Sequence, residues 1–437
     1  MSVDELSRAL ASYRAGVKQP GSTPLQLEFA RFLLGSAAPA FPDHAAELRA
    51  EAYKMCKKAA NASSPEGMFA LAECHETGLS SKGIIGPKPD YGKAFSMYHS
   101  AAKYGHAESS YRAAVYHENG RGTTKSESRA LLFYQKSAAL GHPGACYRMG
   151  MAELHGELGL AVNARNGIKW LKHAASAATP DHCEGLFELA EVHLHGIEHV
   201  VFVDAEYAVK LLREAAALGH VMAMYRLGSY YEHGEHVPRN PATSFMYFKA
   251  AAERGHPESM FGVASWYLTG NREAAVPQSD DDAFEWMKKA AEAGLVKSYF
   301  ALAYLYEEGI GTIEDLAAAK QWYERALAKN DARASQKLQA LKRKMVDPEE
   351  LERRRVAAKK KRAADKAAKE AAEVEAKERE RAERRAARRG PPAPTQATAA
   401  PTAEERAKAA ADAREAREAE RERIKRERTG EDACVVM

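Results

Sequence analysis

The sequence predicts an all-α fold in which short helix pairs stack into an α/α solenoid. The main observation is a unit of roughly 36 to 42 residues that recurs along most of the 437-residue chain. Equivalent residues from Tyr98 to Tyr323 follow one another at intervals of 36, 36, 42, 36, 39 and 36 residues. Within each unit, apolar residues lie three and four positions apart, a spacing typical of one helical face. A repeat of this length indicates stacked helical units rather than a globular domain.

The body of the chain divides into a cap and a repeat array. Residues 1–24 are predicted to form an N-terminal cap segment, whose short amphipathic helix ends near Gly16. Residues 25–345 are predicted to form the solenoid, with seven clear repeats preceded by a degenerate copy between Leu25 and Ala60. Because neither helix of a unit can bury its apolar face alone, stability is expected to come from stacking.

The first helix of each unit is expected to end at a glycine in the left-handed conformation. These closing glycines are Gly78, Gly120, Gly156, Gly196, Gly234, Gly270 and Gly309. Six positions before each of them stands Ala or Gly, a size that allows a neighbouring helix to approach closely. Asn330 replaces the glycine of the last turn between repeats, and Asn271 follows Gly270 without the usual Gly-x-Gly.

The repeats resemble a known family. Small residues, an aromatic residue, Gly-x-Gly and then aromatic-x-Lys-Ala-Ala-x-x-Gly form an order that resembles the Sel1-like repeat, a relative of the tetratricopeptide repeat. The resemblance covers about residues 60–330. It implies α/α hairpins that form a right-handed superhelix and bind other proteins.

The tail differs from the body in charge. Residues 1–348 carry 39 basic and 40 acidic groups, whereas residues 349–437 carry 25 and 20, so the net charge of +4 arises in the tail. We predict a long charged helix at 346–389, a flexible linker at 390–402 and a second charged helix at 403–437. Apolar residues are too sparse for a coiled-coil seam. A solvated helix is the simple interpretation, and a basic arm that contacts RNA is the alternative.

The end of the sequence carries a lipidation motif. Cys434, Val435, Val436 and Met437 match the CaaX pattern that a prenyltransferase recognises, and a final methionine favours farnesyl. One lipid chain anchors a protein only marginally. A basic cluster near the membrane would add attraction to anionic lipids, although neighbouring acidic residues dilute it. Its members are Arg421, Arg423, Lys425, Arg426 and Arg428.

A second candidate site is an arginine stripe, defined by Arg112, Arg148 and Arg226 at one position of successive repeats. Such a row could bind acidic groups of a partner protein. The simpler interpretation is that these arginines are solvated surface residues without a binding role. Histidines such as His193, His195 and His199, and those of the Gly-His turns, recur at fixed repeat positions, so we interpret them as structural. Four cysteines, Cys56, Cys74, Cys146 and Cys183, are expected to be small buried residues.

Several protein classes are disfavoured. The sequence shows no signal peptide, no membrane-spanning run and no nucleotide, hydrolase or metalloprotease motif. Five cysteines without paired spacing favour a reducing compartment. We therefore expect a non-enzyme without cofactor, metal or small-molecule substrate, located at the cytoplasmic face of membranes with a soluble cytoplasmic pool.

Repeats and CaaX motif together resemble the fungal chitin-synthase activators. This resemblance implies a farnesylated scaffold whose repeats bind a chitin synthase or its trafficking machinery, and which recruits or activates the synthase at septa and growing walls. A prenylated adaptor for another membrane or signalling complex fits the same residues. An adaptor of endoplasmic-reticulum degradation is disfavoured because it needs a signal peptide, and nucleic acid is not an expected partner.

Overall fold

The computed structural model describes residues 3–17, 23–86 and 88–345, together with scattered helical residues between 353 and 368. The chain divides into two compact units, residues 1–358 and 359–437, and the account below concerns the first. Its described residues form helices and a few isolated β-bridges. The all-α prediction is thus confirmed.

The N-terminal part consists of four helices and two irregular turns. They are α1 (Val3–Gly16), α2 (Thr23–Phe32), a π-helical turn (Leu33–Ala37), the short α3 (Ala38–Ala40), a 3₁₀ turn (Pro42–His44) and α4 (Ala45–Asn61). The ring of Tyr13 in α1 stacks on Phe29 in α2 at a centroid distance of 5.2 Å. Arg14 pairs with Glu51 of α4 at 2.7 Å. Helix α1 therefore covers the degenerate copy, whose α4 packs against the first regular repeat.

Seven helix pairs follow, each with a first helix of 12 or 13 residues and a second helix of 13. Repeats 1 to 7 are α5 (Pro65–Glu76) and α6 (Tyr91–Lys103); α7 (Ala107–Asn119) and α8 (Glu127–Ala139); α9 (Pro143–His155) and α10 (Ala164–Ser176); α11 (Glu184–His195) and α12 (Ala205–Ala217); α13 (Val221–His233) and α14 (Pro241–Glu253); α15 (Pro257–Thr269) and α16 (Asp280–Glu292); α17 (Val296–Glu308) and α18 (Leu316–Ala328). A further helix, α19 (Ala332–Lys344), packs on repeat 7.

Local sequence explains where these helices begin. Each second helix starts after a side chain that accepts a hydrogen bond from a backbone N–H of the first turn, the usual role of Asp, Asn and Ser at helix N-termini. These capping residues are Asp90, Ser126, Asn163, Asp204, Asn240, Ser279 and Asp315.

Backbone conformation explains where the first helices end. The closing glycines all have positive φ, between 66° and 77°, as the sequence predicted. Asn330 takes the same region with φ 66°, because asparagine tolerates the left-handed conformation better than most residues. The loop after Gly270, where Gly-x-Gly is absent, instead forms a bridge between Asn271 and Val276.

The core of the described array is a series of apolar clusters. The small residue six positions before each closing glycine is buried, and Ala114, Ala264 and Ala303 have no exposed surface. One apolar cluster extends from Ile168 of repeat 3 to Ala251 of repeat 5, so neighbouring repeats complete each other's cores. Among the described helices, none is both long and apolar enough to cross a bilayer.

Candidate protein-docking surfaces

The arginine stripe lies on the first helices. Arg112, Arg148 and Arg226 are each the sixth residue of their helices, α7, α9 and α13. Their side chains are 40%, 22% and 41% exposed, so all three reach solvent. All three are also in ion pairs within the chain, which reduces the positive charge that they offer to a partner.

Arg148 makes the most extensive of these contacts. Its Nε and Nη2 atoms donate to Glu118 of repeat 2 at 3.0 and 2.5 Å, and its Nη1 donates to Glu157 at 2.5 Å. Glu118 also accepts from the hydroxyl of the buried Tyr134 at 2.5 Å. Burial alone would raise the pKa of Glu118, but the bonds from Arg148 and Tyr134 outweigh it and lower the pKa. This glutamate therefore stays charged and joins repeats 2 and 3.

The same arrangement recurs at the end of the array. Glu307, like Glu118, stands two residues before its closing glycine, and it accepts from Tyr323 at 2.8 Å. Lys337, the sixth residue of α19, donates to Glu307 at 3.1 Å, and Lys344 donates at 2.8 Å. We name this set an interrepeat bridge: a glutamate before the closing glycine, the tyrosine of its own second helix, and a cation of the next first helix.

The other two stripe arginines vary this scheme. Arg226 Nη2 contacts Glu191 of repeat 4 at 3.3 Å, while Arg112 Nε donates to Glu108 of its own helix at 2.8 Å. All three stripe arginines thus make structural contacts within the chain, two of them between repeats, and a role in docking an acidic partner stays a prediction. Sequence inspection could have found the bridge. In repeats 1, 2 and 7, a glutamate two residues before the closing glycine occurs together with the tyrosine of the second helix to which it is hydrogen-bonded.

Histidines cap four of the first helices. The Nδ1 atoms of His106, His142, His220 and His256 accept backbone N–H bonds at the starts of α7, α9, α13 and α15. Each imidazole also lies against the aromatic side chain at the fourth or fifth position of the preceding first helix, for example His220 on Phe187 at 4.6 Å. These histidines fix the approach of successive repeats, in agreement with the interpretation of the Gly-His pairs as turn residues.

Among the described residues, one group has the composition of a metal site. Glu108, His142 and His182 offer ligand atoms that lie within 4.8 Å of one another. His142 Nε2 is 2.5 Å from Glu108 Oε2, and His182 Nε2 is 3.7 Å from it. Burial would raise the pKa of Glu108, but hydrogen bonds from His142, His182 and Arg112 outweigh it and hold the pKa well below its usual range.

The hydrogen bonds of His142 indicate whether this group is a metal site or a structural contact. Because its Nδ1 accepts from the N–H of Ala145 at 3.1 Å, the proton of the neutral ring is on Nε2, which faces Glu108. A metal ion at Nε2 would need that proton moved to Nδ1, and the helix cap would then be lost. The geometry therefore favours a hydrogen-bonded link between repeats 2, 3 and the start of repeat 4.

An exposed apolar feature was missed by the sequence interpretation. The loop between α11 and α12 carries Phe202, which is 92% exposed, and Val203, which is 63% exposed. Val162, in the corresponding loop of repeat 3, is 67% exposed. Large exposed apolar groups on one edge are typical of interaction surfaces. The signal in the sequence was the run Val200-Val201-Phe202-Val203, which is too short for a helical period to be recognised.

The remaining predicted site residues lie outside the described part of the chain. These are the CaaX residues Cys434, Val435, Val436 and Met437 and the basic cluster Arg421, Arg423, Lys425, Arg426 and Arg428. Cys56, Cys74, Cys146 and Cys183 are free and buried, as expected.

Comparison with known proteins agrees with the repeat geometry. The Sel1 repeat model matches residues 65–106, 107–142, 143–178, 183–220, 221–256, 257–295 and 296–331. A Sel1 repeat protein from Oxalobacter formigenes has a similar fold, with a TM-score of 0.50 and 23% identity over 76% of this chain and 90% of that one.

Two fungal proteins are similar in sequence. A chitin synthase regulator of Malassezia restricta is 36% identical over 345 residues, which are 76% of this chain and 24% of the relative. A chitin synthase regulator of Saccharomyces cerevisiae is 32% identical over 354 residues, 76% of this chain and 50% of the relative. The chain thus spans half or less of the length of these relatives. Both are named as regulators, in agreement with the prediction of a non-enzyme.

The seven matched repeats cover most of the body and coincide with the helix pairs of the structure. This chain belongs to the Sel1 repeat family.

Proposed function

We propose that the chain is a non-enzymatic regulator of a fungal chitin synthase, which its repeat body binds or delivers to the membrane. The observation that carries the proposal is the 36% identity to a chitin synthase regulator over 345 residues, because this length exceeds that of the seven repeats. Chemistry on the described surface is consistent with docking rather than catalysis. Ionisable side chains such as Glu108, Glu118 and Glu307 are hydrogen-bonded to other helices of the chain.

We further propose that a farnesyl group on Cys434 brings the protein to the cytoplasmic face of membranes, leaving a soluble pool. A single prenyl chain gives weak, reversible attachment. The basic cluster from Arg421 to Arg428 would add about 1 kcal/mol per cation near an anionic surface, so both signals together would retain the protein.

The experiment uses the full chain with an N-terminal tag, expressed in a fungal strain that lacks its own regulator. Cell-wall chitin, co-precipitation of chitin synthase and the membrane-bound fraction are measured for the wild type and for Cys434→Ser. Met437→Leu is a matched control, since a final leucine directs geranylgeranyl instead of farnesyl. Mass spectrometry of the intact protein identifies the lipid in each case.

The expected result is restored chitin and co-precipitation with the wild type, loss of membrane binding with Cys434→Ser, and retention with Met437→Leu. Wild-type protein that neither restores chitin nor retains the synthase would refute the regulatory role. Equal membrane fractions of wild type and Cys434→Ser would refute the lipid anchor alone. Altered membrane binding with unchanged chitin would assign the chain to another membrane complex.

A further inference from the structure

A groove lies where the degenerate N-terminal copy meets repeat 1. It has a volume of about 390 Å³ and is bounded by α4, α5 and α6. Met68, Leu71 and Met97 contribute apolar lining, and Tyr53 of α4 lies beside them. Methionine side chains are flexible and polarisable, and surfaces rich in them adapt to varied apolar partners.

Comparison with repeat 2 explains why the groove is open. Phe133 of α8 is equivalent to Met97 of α6, since each directly precedes the buried tyrosine of its helix. The centroid of the Phe133 ring lies 5.7 Å from that of His117 and 5.6 Å from that of His99. In the groove, His75 is equivalent to His117 and Lys57 is equivalent to His99. An aromatic side chain thus fills this position in repeat 2. Repeats 5, 6 and 7 also have aromatic residues there, namely Tyr247, Trp286 and Trp322.

The charge around the groove is one-sided. Its described lining includes Lys57, Lys93 and His75 but neither Asp nor Glu. Lys93 is paired with Asp90 at 2.8 Å, whereas Lys57 is exposed and has no ion-pair partner among the described residues. Other surface cavities have mixed lining, such as Arg148 with Glu118, or Arg226 with Glu235.

We propose that this groove binds an acidic segment of a partner protein. The segment inserts a large apolar side chain between Met68 and Met97 and places a carboxylate next to Lys57. Apolar anchors in a groove provide the affinity, while complementary charge selects the partner and its orientation. The proposal goes beyond regulation of chitin synthase, because it defines a surface and the chemistry that fits it, whichever protein carries the segment.

The test is selection of a random twelve-residue peptide library, displayed on phage, against the full chain. Selected peptides are synthesised with a fluorophore, and their Kd is measured by anisotropy for the wild type and two groove variants. Met97→Phe places in the groove the ring that repeat 2 has at Phe133, and Lys57→Glu reverses the unpaired charge. Lys210→Glu, an exposed position on α12, makes the same change in net charge away from the groove.

The expected peptides combine a large apolar residue with neighbouring Asp or Glu. Both groove variants should bind them at least tenfold more weakly, and Lys210→Glu should bind like the wild type. Met97→Phe should keep the wild-type Tm or exceed it, because the ring enters open space. If Met97→Phe melts lower, Lys57→Glu alone decides the outcome.

Three outcomes would overturn the proposal: no enriched peptide, enriched peptides without acidic residues, or equal binding by wild type and Lys57→Glu. In the second case, displacement of the selected peptides by vesicles containing phosphatidylserine would assign the groove to lipid. Loss of the groove proposal leaves chitin synthase co-precipitation as an independent test of the proposed function.

Discussion

The boundary between repeats 2 and 3 and the boundary between repeats 6 and 7 use the same helix positions with different chemistry. At the first, His142 caps α9 and stacks on Tyr111 at 4.6 Å, and Arg148 pairs with Glu118. At the second, Leu295 precedes α17 without a side-chain cap, and Lys297 lies over Phe261 at 4.8 Å.

Apolar packing is what the two boundaries share. Ala301 stands at the stripe position of repeat 7, and Leu268 replaces the glutamate of the bridge in repeat 6. Yet Ala114 and Ala264, six positions before their closing glycines, are equally buried, and each belongs to an apolar cluster that reaches into the next repeat. Apolar packing therefore joins the repeats at both boundaries, and polar contacts are added at particular ones.

The largest expected effect comes from breaking this shared packing. Ala114→Leu and Ala264→Leu should each lower the free energy of unfolding by about 1–3 kcal/mol, because side chains added to a packed core force neighbours apart. Chemical denaturation of the full chain measures the change. Ala328→Leu, at an exposed position of α18, should change stability by less than about 0.5 kcal/mol. A loss at only one of the two boundaries would contradict common packing.

The next effect isolates the bridge. A double-mutant cycle of Glu118→Gln and Arg148→Met should give a coupling energy of about 1 kcal/mol, since these charged hydrogen bonds are mostly shielded from water. Denaturant midpoints of the wild type, both single variants and the double variant supply the cycle. A coupling energy near zero would mean that the contact contributes only as surface charge.

A pH effect distinguishes the histidine-capped boundaries from that at Leu295. Burial lowers the pKa of His106, His220 and His256 below the ordinary value of 6.5. The unfolded chain therefore takes up protons at a higher pH than the folded chain. The stability that these neutral histidines contribute is present above their unfolded-state pKa of 6.5, and it is lost as the pH falls towards their lower folded-state pKa values.

The check is the Tm measured between pH 7.5 and 5 for the wild type and for His220→Asn. Asparagine is a good capping residue without a proton to gain, so the variant should lose less stability on acidification. Identical pH dependence of the two proteins would exclude His220 as a source of acid sensitivity.

The smallest effect concerns the last boundary, between repeat 7 and α19. Asn330 has φ 66°, a conformation that glycine adopts without steric cost. Asn330→Gly should change the free energy of unfolding by less than about 1 kcal/mol, whereas Asn330→Ala should destabilise. Thermal melting of both variants checks the prediction, and equal stability of the two would show that this turn relaxes freely.

The sequence alone determined the helix pairs, their ends and their order. Periodicity placed seven copies, and the closing glycines took the left-handed conformation that their positions predicted. These features are local, because each depends on helical spacing and on the backbone of one turn.

Tertiary structure alone decided which side chains meet. Arg148 was recognised as part of a row, but its pairing with Glu118 depends on the rotation of one first helix against the next. Glu108 and His182 are distant in sequence and meet only because three repeats stack. The groove beside Met97 follows in the same way from the absence of a ring at a position shared by neighbouring helices. A repeat period fixes the register of the helices, whereas the contacts between them depend on distance and rotation, which the period does not contain.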